Sequence, residues 1–316
     1  MNPQMKTNVT WSHVRSEYSV FIALVVLIIL SSIAHPDFLS VINLSNILRQ
    51  VSIIGIISVG MTFIIISGGI DLSVGSVLAL TGTITIMLLN ATENAGLAVI
   101  TALLFGLFVG FINGILVTKG RINPFIVTLG TMAAARSLSL YFANGGSVSG
   151  TDTVYSQIAN GYLFGMAYPI YLFIFVVVFA YMILHKTRFG RYVYAIGSNE
   201  KAALLSAIRT ERVKIGVYMI GGLLVGLGAV IESSRLNSIS SASSGYSYEL
   251  DAIAAVIIGG TRMSGGKGKI LGTVAGILIL GIINNMMNLM NVSPYLQGLV
   301  KGAIIILAVL LQKKNA

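Results

Sequence analysis

The chain has 316 residues, of which 55% are apolar and only 9% charged, against roughly a quarter charged in soluble domains. That composition excludes an ordinary soluble enzyme, and a mean hydropathy of +0.89 excludes a disordered chain. With no cysteine there are no disulfides, thiolate metal sites or cysteine nucleophiles. The net charge of +10 takes its meaning from where the basic residues fall, since it suggests nucleic acid only in a soluble protein.

A hydrocarbon core takes about 20 helical residues to cross, so a chain of this length crosses roughly ten times. The first apolar stretch, about 20–34, follows Lys6 and Arg15 like a signal peptide. Ile33-Ala34-His35-Pro36 is a poor cleavage site, and the stretch reads as a retained anchor. Further stretches lie at about 46–66, 72–89, 95–118, 124–142, 166–184, 214–231, 250–260, 270–290 and 294–311. Asn123-Pro124 starts the fifth, with proline in the first turn. Gly106, Gly110 and Gly114, like Gly222 and Gly226, recur every fourth residue and predict close helix packing.

Charge orients these spans. With the N-terminus inside, the inner segments carry Lys6, Arg15, Lys119, Arg121, the basic residues of 185–214, Arg262, Lys267, Lys269, Lys313 and Lys314. The outer loops carry Arg235 alone. The positive-inside rule then predicts an all-α polytopic membrane protein, a single domain over 1–316 with about ten transmembrane helices and both termini cytoplasmic. The split also makes a nucleic-acid partner unnecessary; the partner is a lipid bilayer. Arg49, Arg136 and Lys301 fall inside predicted spans, where a cation either snorkels to the nearer surface or faces a wet cavity.

Two loops are long. The outer one, about 143–165, is rich in Gly, Ser and Asn and is suited to a short lid or a docking surface. The inner one, about 185–213, holds Asn199-Glu200-Lys201-Ala202-Ala203-Leu204-Leu205-Ser206-Ala207-Ile208, a helix-capping residue followed by helix formers. The spacing predicts a short amphipathic helix with Ala203, Leu204, Ala207 and Ile208 on one face. Ser67 to Gly75 (SGGIDLSVG) and Ile258 to Gly266 (IGGTRMSGG) form a weak internal repeat after two outside-to-inside spans. Paired glycine-rich breaks in two halves of a transporter point to the translocation path.

Several chemistries are missing. No GxxxxGK[ST] occurs; Thr261 to Gly268 comes nearest and lacks the first glycine and the final hydroxyl. There is no HExxH, metal-spaced histidine pair or GxSxG elbow. The sequence therefore predicts no catalytic residue, no metal site and no cofactor in this chain. Carboxylates of the kind that couple ions near the midplane are also missing, the acidic residues standing near span ends with Asp71 the exception.

The motifs Gly60-Met61-Thr62, Ser67-Gly68-Gly69-Ile70-Asp71-Leu72-Ser73-Val74-Gly75-Ser76 and Gly190-Arg191-Tyr192-Val193-Tyr194-Ala195-Ile196-Gly197 resemble the permease subunit of ribose-type bacterial ABC sugar importers. Tyr248-Glu249-Leu250-Asp251-Ala252, Gly259-Gly260-Thr261, Gly265-Gly266-Lys267-Gly268 and Asn284-Asn285 extend the resemblance over about Val20 to Leu311. It implies a bacterial inner-membrane permease. Two copies, a homodimer, would sit on a cytoplasmic ABC ATPase that binds ATP and Mg, with an extracytoplasmic sugar-binding protein delivering substrate. It also implies that Glu200, Ala202, Ala203, Ala207 and Ile208, capped by Asn199, form the element that docks the ATPase. The family pattern has glycine where this chain has Ala207; alanine is the better helix former, and docking is expected to survive the extra methyl.

On this reading the path or gate draws on Ser67, Gly68, Gly69, Asp71, Ser73, Gly259, Gly260, Asn284, Asn288 and Lys301. Asn284, Asn288 and Asn291 share a helix face and either bind sugar hydroxyls or tie helices together. Asp71 either caps the freed amides of its break or pairs with a cation, ahead of touching substrate. Tyr246, Tyr248, Glu249 and Asp251 at the outer mouth suit docking of the binding protein, or interfacial anchoring for the tyrosines. Ribose leads by resemblance, with xylose, allose, galactose, inositol and a quorum-sensing furanosyl compound open. A stand-alone ion-coupled carrier or channel is the alternative from another class, and an export role is less favoured.

Overall fold

The computed structural model describes residues 8–314; Lys6 lies outside them, and among 8–18 and 311–314 only the helical backbone is described. Ten helices coincide with the ten apolar stretches: α1 (Asn8–Ala34), α2 (Val41–Ile66), α3 (Val74–Thr92), α4 (Ala95–Thr118), α5 (Pro124–Phe142), α7 (Tyr168–Lys186), α10 (Thr210–Leu236), α11 (Tyr248–Ile258), α12 (Ile270–Leu289) and α13 (Pro294–Lys314). The connections add α6 (Thr153–Asn160), α8 (Arg188–Ser198) and α9 (Glu200–Leu205). Among the described residues seven helices, α2, α3, α4, α5, α7, α10 and α12, are long and apolar enough to cross a membrane. At 11 residues α11 is about 16 Å long, half a crossing.

Local chemistry sets the helix starts. The Ser40 hydroxyl accepts from the Asn43 amide at 3.3 Å to begin α2, and the Asn94 side chain accepts from Leu97 at 3.0 Å to begin α4. Asn123 accepts from Phe125 at 2.9 Å with Pro124 in the first turn of α5, as the Asn-Pro pair predicts. The all-α expectation needs one correction. Short strands β1 (Ser147–Ser149) and β4 (Ser238–Ser240) pair antiparallel, and β2 (Tyr162–Leu163) pairs with β3 (Met166–Ala167).

The centre of the bundle is α2, surrounded by α7, α10, α11 and α12 and buried from Val51 to Ser67. Its outer neighbours expose apolar side chains instead: Ile22, Val25, Ile29 and Leu30 on α1, Leu104 and Phe108 on α4, Phe175 and Phe179 on α7. A largely apolar rim on a buried core is the pattern lipid solvates. The predicted glycine stripes face each other across α4 and α10. A Cβ on Gly106 would strike the Gly222 carbonyl oxygen, one on Gly110 the Tyr218 carbonyl, and one on Gly226 the Ala102 carbonyl.

The 143–165 segment is not a free lid. Its α6 packs on α10, where the Tyr155 hydroxyl and Ser233 Oγ lie 2.7 Å apart and Ser234 Oγ donates to the Tyr155 carbonyl at 2.6 Å.

Candidate functional site

The predicted coupling helix forms, but shorter than its pattern. Asn199 caps it, accepting from the Ala202 amide at 3.0 Å, and Glu200 pairs with Lys214 at 2.6 Å. It stops at Leu205, because Ala207 adopts φ +60° and the Ile208 amide turns back to the Ala203 carbonyl at 3.1 Å. That is a left-handed C-terminal cap, the position glycine usually fills. Ala207 and Ile208 therefore do not extend the helical face. Ala203 is buried beneath α9, while Leu204 and Leu205, 62% and 89% exposed, form the protruding tip. Helix propensity is the wrong measure for a residue outside the helix. Ala207→Gly is expected to relieve up to ~1 kcal/mol of left-handed strain, less what glycine's freedom costs in the unfolded chain. Hydrogen exchange at the Ile208 amide is expected to slow severalfold; unchanged exchange would mean the cap carries no strain.

The two glycine-rich repeats have one geometry. Gly68 (φ +83°) and Gly260 (φ +85°) each follow a helix end. The Gly69 amide reaches the Ile64 carbonyl at 2.9 Å and the Thr261 amide the Val256 carbonyl at 3.1 Å, the same cap as at Ala207. Structure thus matches Gly68 to Gly260 and Gly69 to Thr261, one residue off the sequence alignment, with Ser67 and Gly259 as the equivalent last residues. The repeats also meet. The Gly266 amide donates to the Ile66 carbonyl at 2.9 Å. The last turn of α8 is inserted at this bond: a Cβ on Gly197 would overlap the Ile66 oxygen and lie 2.5 Å from the Gly266 nitrogen. Gly265 touches both Gly197 and Gly68. The Tyr194 hydroxyl donates to the Gly268 carbonyl at 2.7 Å, and burial pushes its pKa up to about 12, so it remains a donor at neutral pH. One residue, Asn199, separates α8 from α9, so the exposed Leu204-Leu205 tip is joined through backbone contacts to both breaks.

Asp71 binds a freed amide of its break. Its Oδ1 accepts from the Ser73 amide at 2.8 Å and the Ser73 hydroxyl at 2.6 Å, just ahead of α3. Asn113 of α4 donates to Ser73 Oγ at 3.2 Å and accepts from Thr131 of α5 at 2.6 Å, while Tyr218 of α10 donates to the Ile70 carbonyl at 3.1 Å. Asn113, Thr131 and Tyr218 sit singly in apolar runs, where only their inward direction marks them.

The opposite end holds a second polar region. The loop after α10 folds back until Gly245 meets Gly75 in the first turn of α3. Arg136 does not snorkel: its Nη1 donates to the Ser241 carbonyl at 2.8 Å and the Ser244 carbonyl at 3.0 Å. Arg49 stacks over the Tyr162 ring at 4.7 Å. Glu232 stands one turn before the end of α10 at Leu236, as acids were expected to stand near span ends, but it is buried. Of the residues expected to dock a binding protein, Tyr246 is exposed, Tyr248 and Glu249 are half-buried, and Asp251 is buried. Asp251 instead binds Lys301 at 2.9 Å, which removes both Asp251 as a surface group and Lys301 as a snorkelling one.

The asparagines divide as well. Asn288 accepts from Gln297 at 2.9 Å, Asn285 and Asn43 exchange two bonds at 2.6 and 3.0 Å, and Asn291 lies beyond the end of α12 at φ +55°. Asn284 lines a narrow cleft with Gln50, Asp251 and the apolar residues Val51, Ile54, Ile277 and Leu280.

A central buried helix, an apolar rim and paired glycine breaks joined to a protruding loop helix define a membrane permease. A family model described as branched-chain amino acid transport system / permease component matches residues 43–309, and the chain belongs to that family. It is 46% identical over 298 residues, 94% of this chain and 92% of the relative, to the ribose import permease protein of Bacillus subtilis. It is 44% identical over 298 residues to the ribose import permease protein of Haemophilus influenzae, covering 93% and 92% of the two chains. Identity is 35% over 325 residues to the galactose/methyl galactoside import permease protein of Salmonella typhimurium, covering 97% and 96%. No solved structure matches the chain. With seven apolar helices in this family, the chain is a multi-pass protein of the bacterial inner membrane.

Proposed function

We propose that this chain is the membrane-spanning subunit of an ATP-driven ribose importer, with ATP and Mg bound by a separate cytoplasmic ATPase and ribose delivered by an extracytoplasmic binding protein. Identity to ribose import permeases over more than nine-tenths of the chain supports the substrate. The observation that carries the mechanism is the contact of Gly197 with the Ile66–Gly266 bond, since it ties the α9 tip to both glycine breaks. All ten apolar helices span or enter the membrane with both termini cytoplasmic, and the clustering of basic residues on the α8–α9 side supports that orientation. Two copies form the transport unit.

In this scheme the permease supplies two conformations rather than a reacting group. Closure of the ATPase moves α8 and α9 as one piece. The caps at Gly68 and Gly260 shift with them, and α2 and α11 change their access to the two sides. Exposed Leu204 and Leu205 supply the apolar contact to the ATPase. Ala203 is a poor probe of that contact because it is buried under α9. Leu205→Glu is the better one: in sealed vesicles holding all components it is expected to cut ATP-dependent ribose accumulation at least about tenfold with expression unchanged. Equal accumulation in the variant would show that α9 does not couple. Uptake driven by an ion gradient without the ATPase would reject the importer reading. ATP-dependent accumulation of another sugar and not ribose would correct the substrate.

A further inference from the structure

We propose that the cleft between α2, α11 and α12 is a waypoint for the sugar, in which Asn284, Asp251 and Gln50 bind adjacent hydroxyl groups. The inference rests on the importer reading above and names the chemistry of one step within it.

Asn284 carries the argument. It is only 7% exposed, and its side chain makes no hydrogen bond among the described residues. An amide on a side chain this buried, bonded to no described residue and open only to the cleft, is available to a ligand there. Tying helices together explains its neighbours, since Asn285 is matched by Asn43 and Asn288 by Gln297. It does not explain Asn284, which lines the cleft together with Ile54 and Ile277. Asp251 borders the same cleft and gives Oδ2 to Lys301 at 2.9 Å, leaving Oδ1 for another donor. Gln50 adds a second amide with no partner among the described residues.

These groups select their ligand class. A carboxylate oxygen accepts from a hydroxyl, and an amide both donates and accepts, so adjacent sites match the two roles of a vicinal diol. An inorganic cation is disfavoured by the Lys301 ammonium, and an anion by Asp251. A neutral polyol meets neither obstacle. Asn284 lies five residues from the end of α12, which places the cleft about 8 Å inside the bundle from that end. The cleft is too narrow here for a sugar ring, and Gly281 is packed so closely on Val51 that a Cβ would overlap a Val51 methyl. Entry therefore requires α12 to draw back from α2, and the Asp251–Lys301 pair is the neighbouring contact that a diol competes with as it does.

The chain has no cysteine, so a single Ile54→Cys substitution reports on the cleft. In vesicles holding the full importer, ribose-loaded binding protein is expected to slow modification of the introduced thiol by a small cationic methanethiosulfonate at least about fivefold, whereas sugar-free binding protein leaves the rate unchanged. Asn284→Leu is expected to raise the half-saturating ribose concentration about tenfold, the worth of one good hydrogen bond, and Asn284→Gln to restore part of the loss. Gln50→Leu, at an exposed position, tests the same site without disturbing the core. Unchanged half-saturation in both leucine variants, or no protection of the introduced thiol while the same vesicles accumulate ribose with ATP, overturns the waypoint and leaves the importer standing. Vesicles that accumulate no sugar with ATP overturn the importer reading itself.

Discussion

Gly197→Ala is expected to reduce ATP-driven sugar accumulation at least about tenfold, the largest functional effect of any single methyl group in this protein. The added Cβ has no vacant space: it would overlap the Ile66 carbonyl oxygen and crowd the Gly266 amide, whose 2.9 Å bond joins the two breaks. Backbone atoms cannot rotate aside as a side-chain end does, so α8 must retreat or the bond must open. Overpacking of this kind costs ~1–3 kcal/mol, and a lost buried hydrogen bond adds a comparable amount. The α9 tip itself is untouched, so the ATPase is expected to bind and hydrolyse ATP while transport falls. Gly146→Ala, where the new methyl meets only the Ala143 carbonyl at 3.5 Å, is the control. Accumulation in Gly197→Ala equal to that control would show that α8 does not transmit motion to the breaks.

Gly222→Val is expected to have the largest effect on stability. Gly222 and Gly106 oppose each other so closely that a Cβ on either would meet the other's carbonyl oxygen, and one on Gly222 would also lie 3.0 Å from the Gly110 Cα. In lipid the drive for helix association comes from such packing more than from burying apolar surface away from water. A valine there forces α4 from α10 along the whole seam, because Gly110 and Gly226 depend on the same separation. The expected loss is ~3 kcal/mol or more, against ~1–2 kcal/mol for alanine. Thermal unfolding in detergent or nanodiscs reads it, with Gly130→Ala, which meets nothing within 4 Å, expected to match the parent. A parent-like midpoint for Gly222→Val would mean that the two helices can separate freely.

How far these sites were legible differs by residue type. The glycine stripes were read correctly because spacing by four places residues on one helix face whatever the partner. The helix over Glu200–Leu205 was also read, with its cap, since capping is local. Its end was not: Ala207 looks helical until the Ile208–Ala203 bond puts it at positive φ. The repeat at 67–75 and 258–266 was seen at an offset of one residue, because matching glycine letters does not reveal which glycine takes the left-handed turn. Arg136 and Lys301 were left with two outcomes, and Asp251 was placed at the outer mouth, for a different reason. A charge within an apolar run has two low-energy outcomes, the nearer surface or a buried partner, and only the fold brought the Ser241 and Ser244 carbonyls to one and joined the other two.

The sequence by itself determined the solvent and the helices that fall on its apolar stretches, because hydropathy and capping act over one helix length or less. Tertiary structure alone decided that α8 enters between the two breaks and that Asn284 lines a cleft with no partner among the described residues. Those outcomes depend on contacts between segments 40 to 242 residues apart, such as Asn113 with Ser73 and Asn285 with Asn43. No local pattern encodes such a contact, since each partner is free to meet any inward-facing group until the packing of α2 at the centre fixes the distances.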